Sequence, residues 1–285
     1  MINYKEAIDN IRTILQDYIE DSNLKSLVLG VSGGIDSTLC ALLAKPVCDY
    51  LHIPLIGRSI TIESNKKDEI ERANGVGMLF CTDFQEIDLT ELYRSIRNEL
   101  IGYPSSDPSH DYKVQAGNLK ARTRMMKLYA LSGQNKGMVL STDNYTELLA
   151  GFWTLHGDVG DFGMIQNLWK TEVYEMAAYI AKHEIPEGDI NEDVIRHVIQ
   201  SCISANPTDG LGITNSDLDQ LGVKSYEEAD EIFKQFLQDV DNRDKNGIPI
   251  KNRNHPIIKR YYATNFKRNN PYNIPRNEIT DVPFK

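Results

Sequence analysis

The sequence contains few cysteines, in no arrangement that does chemistry. Cys40, Cys48, Cys81 and Cys202 form no Cys-x-x-Cys motif and no paired spacing. That argues against a thiolate metal site or a disulfide framework and for reduced thiols in a cytoplasmic protein. No apolar run approaches the roughly 18 residues of a membrane span, and no signal peptide opens the chain, so no membrane partner is expected. Basic residues are outnumbered, with 31 Lys and Arg against 41 Asp and Glu and a formal charge of −10. An acidic chain is a poor general binder of nucleic acid, so no nucleic-acid partner is expected. There is no internal repeat and no low-complexity segment. Two common phosphate-binding signatures are missing as well: no Gly-x-x-x-x-Gly-Lys-Ser/Thr occurs, and no Gly-x-Gly-x-x-Gly follows a strand. What is there is a 285-residue chain, 41% hydrophobic and 25% charged, long enough for one generous α/β domain over residues 1–285.

One stretch stands out, Ser32-Gly33-Gly34-Ile35-Asp36-Ser37-Thr38. The apolar run Leu27–Val31 before it reads as a buried strand, and Leu39–Ala44 after it reads as a buried helix. Glycines between a strand and a helix let the backbone approach an anion closely. The first N–H groups of the helix, without intrahelical partners, point at that anion. Ser32, Ser37 and Thr38 add hydroxyl donors. Asp36 would repel a phosphate, and its presence makes sense if Mg²⁺ lies between them. The bland alternative is a plain turn, since Gly, Ser and Asp are ordinary turn residues.

Further along, strands are expected at Leu55–Ile60, Phe84–Leu89 and Met138–Asp143. Helices are expected over 3–20, over 65–77 with Gly75 and Gly77 ending it, over 90–101, from 117 to about 131, over 144–150, from Lys170, and over 225–240. Residues 102–113 and 207–222 read as loops. Strands alternating with helices predict a doubly wound parallel sheet flanked by helices, with ligands beyond the C-terminal strand ends. Lys120 and Arg124, four apart, share a helix face that reads first as solvated. Glu147 is a second carboxylate for a metal, although a helical glutamate is more often solvated. The run from Gly151 to Phe162, rich in glycine, aromatics and acids, suggests a pocket wall. Lys251 to Arg276 carries seven Lys or Arg and no acid; it is either a plain basic tail or a partner for an anion-rich ligand.

The glycine stretch resembles the SGGxDS loop of the ATP pyrophosphatases, which split ATP to AMP and pyrophosphate. Three more segments then align in order, GNLKARTRM (117–125), STDNYTELLAGFWTLHGD (141–158) and NFKRNNP (265–271). Together they make the chain similar to the ammonia-dependent NAD⁺ synthetases over about residues 5–271. The resemblance implies an adenine nucleotide alpha hydrolase-like fold and a carbon–nitrogen ligase that amidates deamido-NAD⁺ with ammonia at the expense of ATP, through an adenylated carboxylate. It implies Mg²⁺ held by Asp36 and Glu147. It implies ATP contacts from Gly30, Ser32, Gly33, Gly34, Ser37, Thr38, Arg58, Arg124, Thr142, Lys170 and Thr208. Asn118, Tyr129, Phe152, Asp158, Asp161 and Lys267 would line the deamido-NAD⁺ pocket, and Asp36, Lys170 and Lys267 would serve the chemistry.

A homodimer is implied too, because the family is one. Free ammonia, or ammonia from a separate partner, is the expected nitrogen source, because the resemblance consumes the chain and leaves no room for a glutaminase domain. The chain departs from the family in three places. Phe266 stands where a histidine often precedes Lys267-Arg268, Ser64-Asn65-Lys66-Lys67 replaces a glutamine-bearing loop, and Asp209-Gly210 alters the loop after Pro207. The competing readings are another ATP pyrophosphatase, such as a tRNA-modifying ligase, and a non-catalytic nucleotide-binding protein.

Overall fold

The computed structural model describes residues 2–63, 65–185, 191–206, 216–246 and 251–279. Helix α1 (Tyr4–Asp21) starts at Asn3, whose side chain accepts from the Glu6 amide, and it buries Ile8, Leu15 and Ile19 on one face. Four strands follow at intervals, β1 (Ser26–Gly30), β2 (Leu55–Thr61), β3 (Asp83–Asp88) and β4 (Gly137–Val139). All pair in parallel, in the order β3-β2-β1-β4. The chain therefore builds outward from β1 on one side and returns to its other side with β4. The crevice between β1 and β4 is a topological switch point, where such sheets bind ligands.

Strand residues alternate between two apolar layers, as a period of two requires. Leu27, Leu29, Leu55 and Met138 face one layer together with α1, α2 (Ile35–Leu51), α3 (Lys67–Phe80), α7 (Lys170–His183) and α8 (Glu192–Ile203). Val28, Ile56, Ile60 and Val139 face the other, covered by α4 (Thr90–Leu100) and α5 (His110–Gln134). Both faces are thus buried, as a doubly wound sheet needs. A third apolar cluster gathers α6 (Tyr145–Ala150), α9 (Asp217–Leu221), α10 (Tyr226–Asn246) and α11 (Pro256–Ala263) around Phe233, Phe236 and Ile257.

Several expectations are corrected. Helix α3 does not stop at Gly75 and Gly77 but runs through them to Phe80. A Cβ on Gly77 would lie 2.0 Å from the Phe84 ring and one on Gly75 3.1 Å from Val198, so these glycines serve close packing, not termination. Helix α5 begins at His110, inside the expected loop, because Ser109 caps it by accepting from the Tyr112 amide. Strand β4 is only three residues long, and Leu140 goes on to bridge Phe162 instead. Helix α8 lies where no element was expected. The basic segment is not a plain tail: it forms α11 and α12 (Asn265–Arg268), docked on α6.

Candidate active site

The glycine loop is held in shape before any ligand arrives. Gly33 sits at φ +79°, a conformation that costs a residue with a Cβ about 1–3 kcal/mol. A Cβ there would also lie 2.5 Å from the Glu69 carbonyl of α3. Arg72 Nε donates to the Gly33 carbonyl at 3.1 Å and fastens the loop to that helix. Ser32 and Ser37 hydroxyls lie 3.1 Å apart, and the Gly34 amide donates to Ser32 Oγ at 3.2 Å. Gly34 caps α2 without a side-chain bond, so the first N–H groups of that helix open toward the crevice.

Three elements then bring charged groups to one point. Asp36 lies in the first turn of α2, Glu147 in the first turn of α6, and Lys170 begins α7. Lys170 Nζ donates to Asp36 Oδ2 at 2.5 Å and to Glu147 Oε1 at 3.0 Å. Asn144 caps α6, accepting from the Glu147 amide at 3.1 Å, and gives its own side-chain N–H to Asp36 Oδ1 at 2.8 Å. Burial pushes the Glu147 carboxyl up to about 7, Lys170 pulls it down and Asp36 adds to the rise. Burial also works against the Lys170 ammonium, but Asp36 and Glu147 outweigh it and hold it well above the usual lysine range. Removing either carboxylate leaves a buried cation half-paired.

The donor set suits Mg²⁺. Two carboxylates converge on a single positive charge, and no cluster of three His, Cys, Asp or Glu forms a protein cage among the described residues. Mg²⁺ characteristically takes one or two carboxylates and completes its shell with phosphate and water.

These groups line one cavity of about 510 Å³, which runs from the glycine loop past Arg58 and Arg124 to Asp158 and Lys267. Its far wall rests on the basic segment. Gly151, at φ +59°, ends α6 so tightly that a Cβ would meet the Thr264 hydroxyl at 2.2 Å. Arg260 Nε donates to the Ala150 carbonyl at 2.9 Å, and Lys267 Nζ donates to the carbonyls of Gly151, at 2.8 Å, and Trp153. Burial lowers the Lys267 ammonium to about 8, with Arg260 adding and Asp158 opposing. Asp158 accepts from the Thr154 amide at 2.5 Å, and the Thr154 hydroxyl donates to Asn118 at 2.8 Å. Burial raises the Asp158 carboxyl against those bonds and the Arg124 charge.

The geometry and the comparisons meet here. A family model described as NAD synthase matches residues 7–271. The chain belongs to the NAD synthase family. The NH₃-dependent NAD⁺ synthetase of Thermoplasma acidophilum is 31% identical over 279 residues, covering 97% of this chain and 100% of that protein. The one from Finegoldia magna is 32% identical over 267 residues, covering 93% and 98%. Among solved structures, an NMN synthetase from Francisella tularensis matches with a TM-score of 0.74 at 22% identity, covering 96% of this chain and 99% of that one. The NH₃-dependent NAD synthetase from Campylobacter jejuni matches at 0.69 and 21%, covering 96% and 100%. Those structural likenesses concern the fold. As a NAD synthase the chain is a ligase that uses ATP. No described helix is long and apolar enough to cross a membrane.

Within this NAD synthase, the cavity gathers Gly30, Ser32, Gly34, Asp36, Ser37, Arg58, Asn118, Arg124, Thr142, Glu147, Phe152, Asp158, Lys170 and Lys267. Other expected contacts are placed differently. Thr38 is 0% exposed and gives its hydroxyl to the Gly34 carbonyl at 2.8 Å, so it braces the loop from behind. Arg58 does line the cavity, but its guanidinium forms a bidentate pair with Asp83 at 3.1 and 2.9 Å, which engages its charge within the sheet. Tyr129 donates to Asp161 at 2.8 Å and Asp161 accepts from the Val139 amide at 2.9 Å, outside the cavity walls. Thr208 lies outside the described residues. The expected solvated face of α5 is not solvated: Lys120 is buried against Glu63 at 3.4 Å, and Arg124 donates to the Ile60 carbonyl at 3.1 Å.

The sequence reading missed Asp143, Arg72 and Arg260. Asp143 lines the cavity, and burial together with Glu147 and Asp158 holds its carboxyl well above the usual range. Its only signal was its place at the polar end of a buried strand. Nothing local marked Arg72 or Arg260, whose roles depend on tertiary packing.

Proposed function

We propose that the chain amidates the nicotinate carboxylate of deamido-NAD⁺ with ammonia, converting ATP to AMP and pyrophosphate through an adenylated carboxylate. The carrying observation is the Lys170 bridge between Asp36 and Glu147 at the mouth of the glycine loop. A carboxylate does not react with ammonia until its oxygen becomes part of a leaving group. In the first step a nicotinate oxygen attacks the α-phosphorus and the α–β bridging bond breaks, releasing pyrophosphate. In the second, ammonia attacks the carbonyl carbon, AMP departs with the bonding pair, and the nitrogen gives up a proton.

The residues present support each demand. The free N–H groups at the start of α2 and the Ser32 and Ser37 hydroxyls suit a departing pyrophosphate, since charge there needs donors fixed in advance. Asp36 and Glu147 would hold Mg²⁺, which when bound neutralises phosphate charge. Lys170 would then turn from the carboxylates to phosphate oxygens. Arg124, half-buried, and Lys267 set positive charge along the rest of the cavity for an anionic dinucleotide. Tyr129 and Asp161 lie outside that cavity, and the homodimer is proposed on the family resemblance alone; sedimentation velocity checks it.

The test is incubation of the purified chain with ATP, Mg²⁺, ammonium and deamido-NAD⁺, reading NAD⁺ and AMP in equal amounts. Formation of neither overturns the proposal. Because an NMN synthetase shares the fold, nicotinate mononucleotide is run beside the dinucleotide. Preference for it would keep the amidation and overturn the choice of substrate.

A further inference from the structure

Asp230 lies on α10, 1% exposed, and is not part of the cavity wall. It nevertheless joins the two helix starts that present Glu147 and Lys170. Its Oδ1 accepts from the Thr146 hydroxyl, and its Oδ2 accepts from the Thr171 backbone N–H at 3.0 Å. The Thr146 hydroxyl accepts in turn from the Lys170 backbone N–H at 3.0 Å. Thr146 immediately precedes Glu147 in the first turn of α6, and Lys170 and Thr171 open α7. The first N–H groups of a helix have no intrahelical partner. Here two of them end on one Thr–Asp unit, and a carboxylate at that end also meets the positive end of the helix dipole.

We propose that Asp230 is a positioning residue. By tying α6 to α7 it sets where the Glu147 carboxylate stands relative to Lys170 and Asp36, and so shapes the site for a divalent cation. The inference rests on the proposed function for its meaning but has its own readout. An ionised carboxylate offers only acceptors, and both of its oxygens face donors. Asp230→Asn keeps the shape but turns one acceptor into a donor. Thr146→Val removes the hydroxyl at nearly constant volume, and Thr146→Ser keeps it.

The experiment measures Mn²⁺ binding by electron paramagnetic resonance, on the full chain, in the presence of a non-hydrolysable ATP analogue. Loss of an outer-shell partner costs metal sites about 10–100-fold in affinity. Asp230→Asn and Thr146→Val are expected to weaken Mn²⁺ by about tenfold or more, with Thr146→Ser close to wild type. Binding of the analogue without metal is expected to stay within about twofold in every variant, because the glycine loop is untouched. A purely structural role lowers the melting temperature without moving Mn²⁺ affinity, and that result overturns the inference. Where Asp230→Asn fails to fold, Thr146→Val decides alone, and Mn²⁺ affinity within about twofold of wild type overturns it. Failure of the wild-type chain to make NAD⁺ overturns the functional proposal instead, because the Mn²⁺ comparison needs no turnover.

Discussion

At the scale of single residues, Asp36 has the most at stake, because one carboxylate answers two neighbours at once. Asp36→Asn removes a charge from the Lys170 bridge and places an amide N–H within reach of the Asn144 amide or the Lys170 ammonium. The fold is expected to survive, since Lys170 keeps Glu147 at 3.0 Å. ATP–pyrophosphate exchange dependent on deamido-NAD⁺ is expected to fall by more than the ~100-fold typical of an outer-shell partner; unchanged exchange in the variant rules out Asp36 as a metal carboxylate. Lys267 gives a pH signature of opposite character. Burial lowers its ammonium to about 8, so it is charged below that pH and neutral above it. Affinity for an anionic dinucleotide is therefore expected to fall as pH rises through about 8, and Lys267→Met is expected to bind more weakly and with a flatter profile. Equilibrium binding of deamido-NAD⁺ without ammonium measures this free of ammonia's own titration, and a wild-type profile flat across pH 8 counts against it. The two proposed metal carboxylates could be singled out in the sequence because a carboxylate beside a phosphate loop is chemically anomalous. Asp143 and Arg260 could not, since a buried acid just past a short strand and a basic residue in a basic run differ from their neighbours only after the chain folds.

At the scale of elements, the strands β1 and β2 were legible from their β-branched and apolar runs, and α2 from the glycines that precede it. The boundaries that failed share a cause: local sequence signals were overruled by what packs nearby. Gly77 is the clearest case. Glycine inside a helix costs about 1 kcal/mol relative to alanine, so propensity alone says that Gly77→Ala should stabilise α3. The Cβ would lie 2.0 Å from the Phe84 ring of β3, however, and overpacking of that kind costs about 1–3 kcal/mol. The clash wins, and Gly77→Ala is expected to destabilise the protein by up to about 2 kcal/mol. Adding Phe84→Ala should make the alanine at 77 favourable, which reverses the sign of its effect. Urea unfolding of the four members of that cycle gives the answer, and a more stable single Gly77→Ala variant counts against the packing account. The consequence reaches the site, because α3 is also the helix on which Gly33 rests through Arg72.

At the scale of the whole molecule, the parallel order and the switch point between β1 and β4 fix where the cavity lies, and the third apolar cluster closes it. Alternating strands and helices predicted the parallel sheet and ligands beyond its C-terminal strand ends, but not the strand order that puts the switch point between β1 and β4. Nor did they predict the closing cluster, because α10 and α11 meet α6 across about a hundred residues of chain and nothing local records that pairing. The same assembly bears on the nitrogen source. Taking ammonia from glutamine requires an activated nucleophile, most often a cysteine whose thiol is readily ionised. Here all four thiols are pushed the other way. Burial raises Cys48 and Cys81 to about 12, Cys202 above its ordinary value, and Cys40 well above it. None of them sits in the electropositive, accessible setting that makes a thiolate. The purified 285-residue chain is therefore expected to form NAD⁺ with ammonium and not with glutamine. Iodoacetamide, at a concentration that alkylates accessible thiols, is expected to leave the ammonium-driven rate unchanged. The measurement is NAD⁺ formed with each nitrogen source before and after alkylation. Glutamine-driven NAD⁺ formation that disappears on alkylation would show that one of these thiols becomes reactive during turnover, and the burial account of the cysteines would then fail.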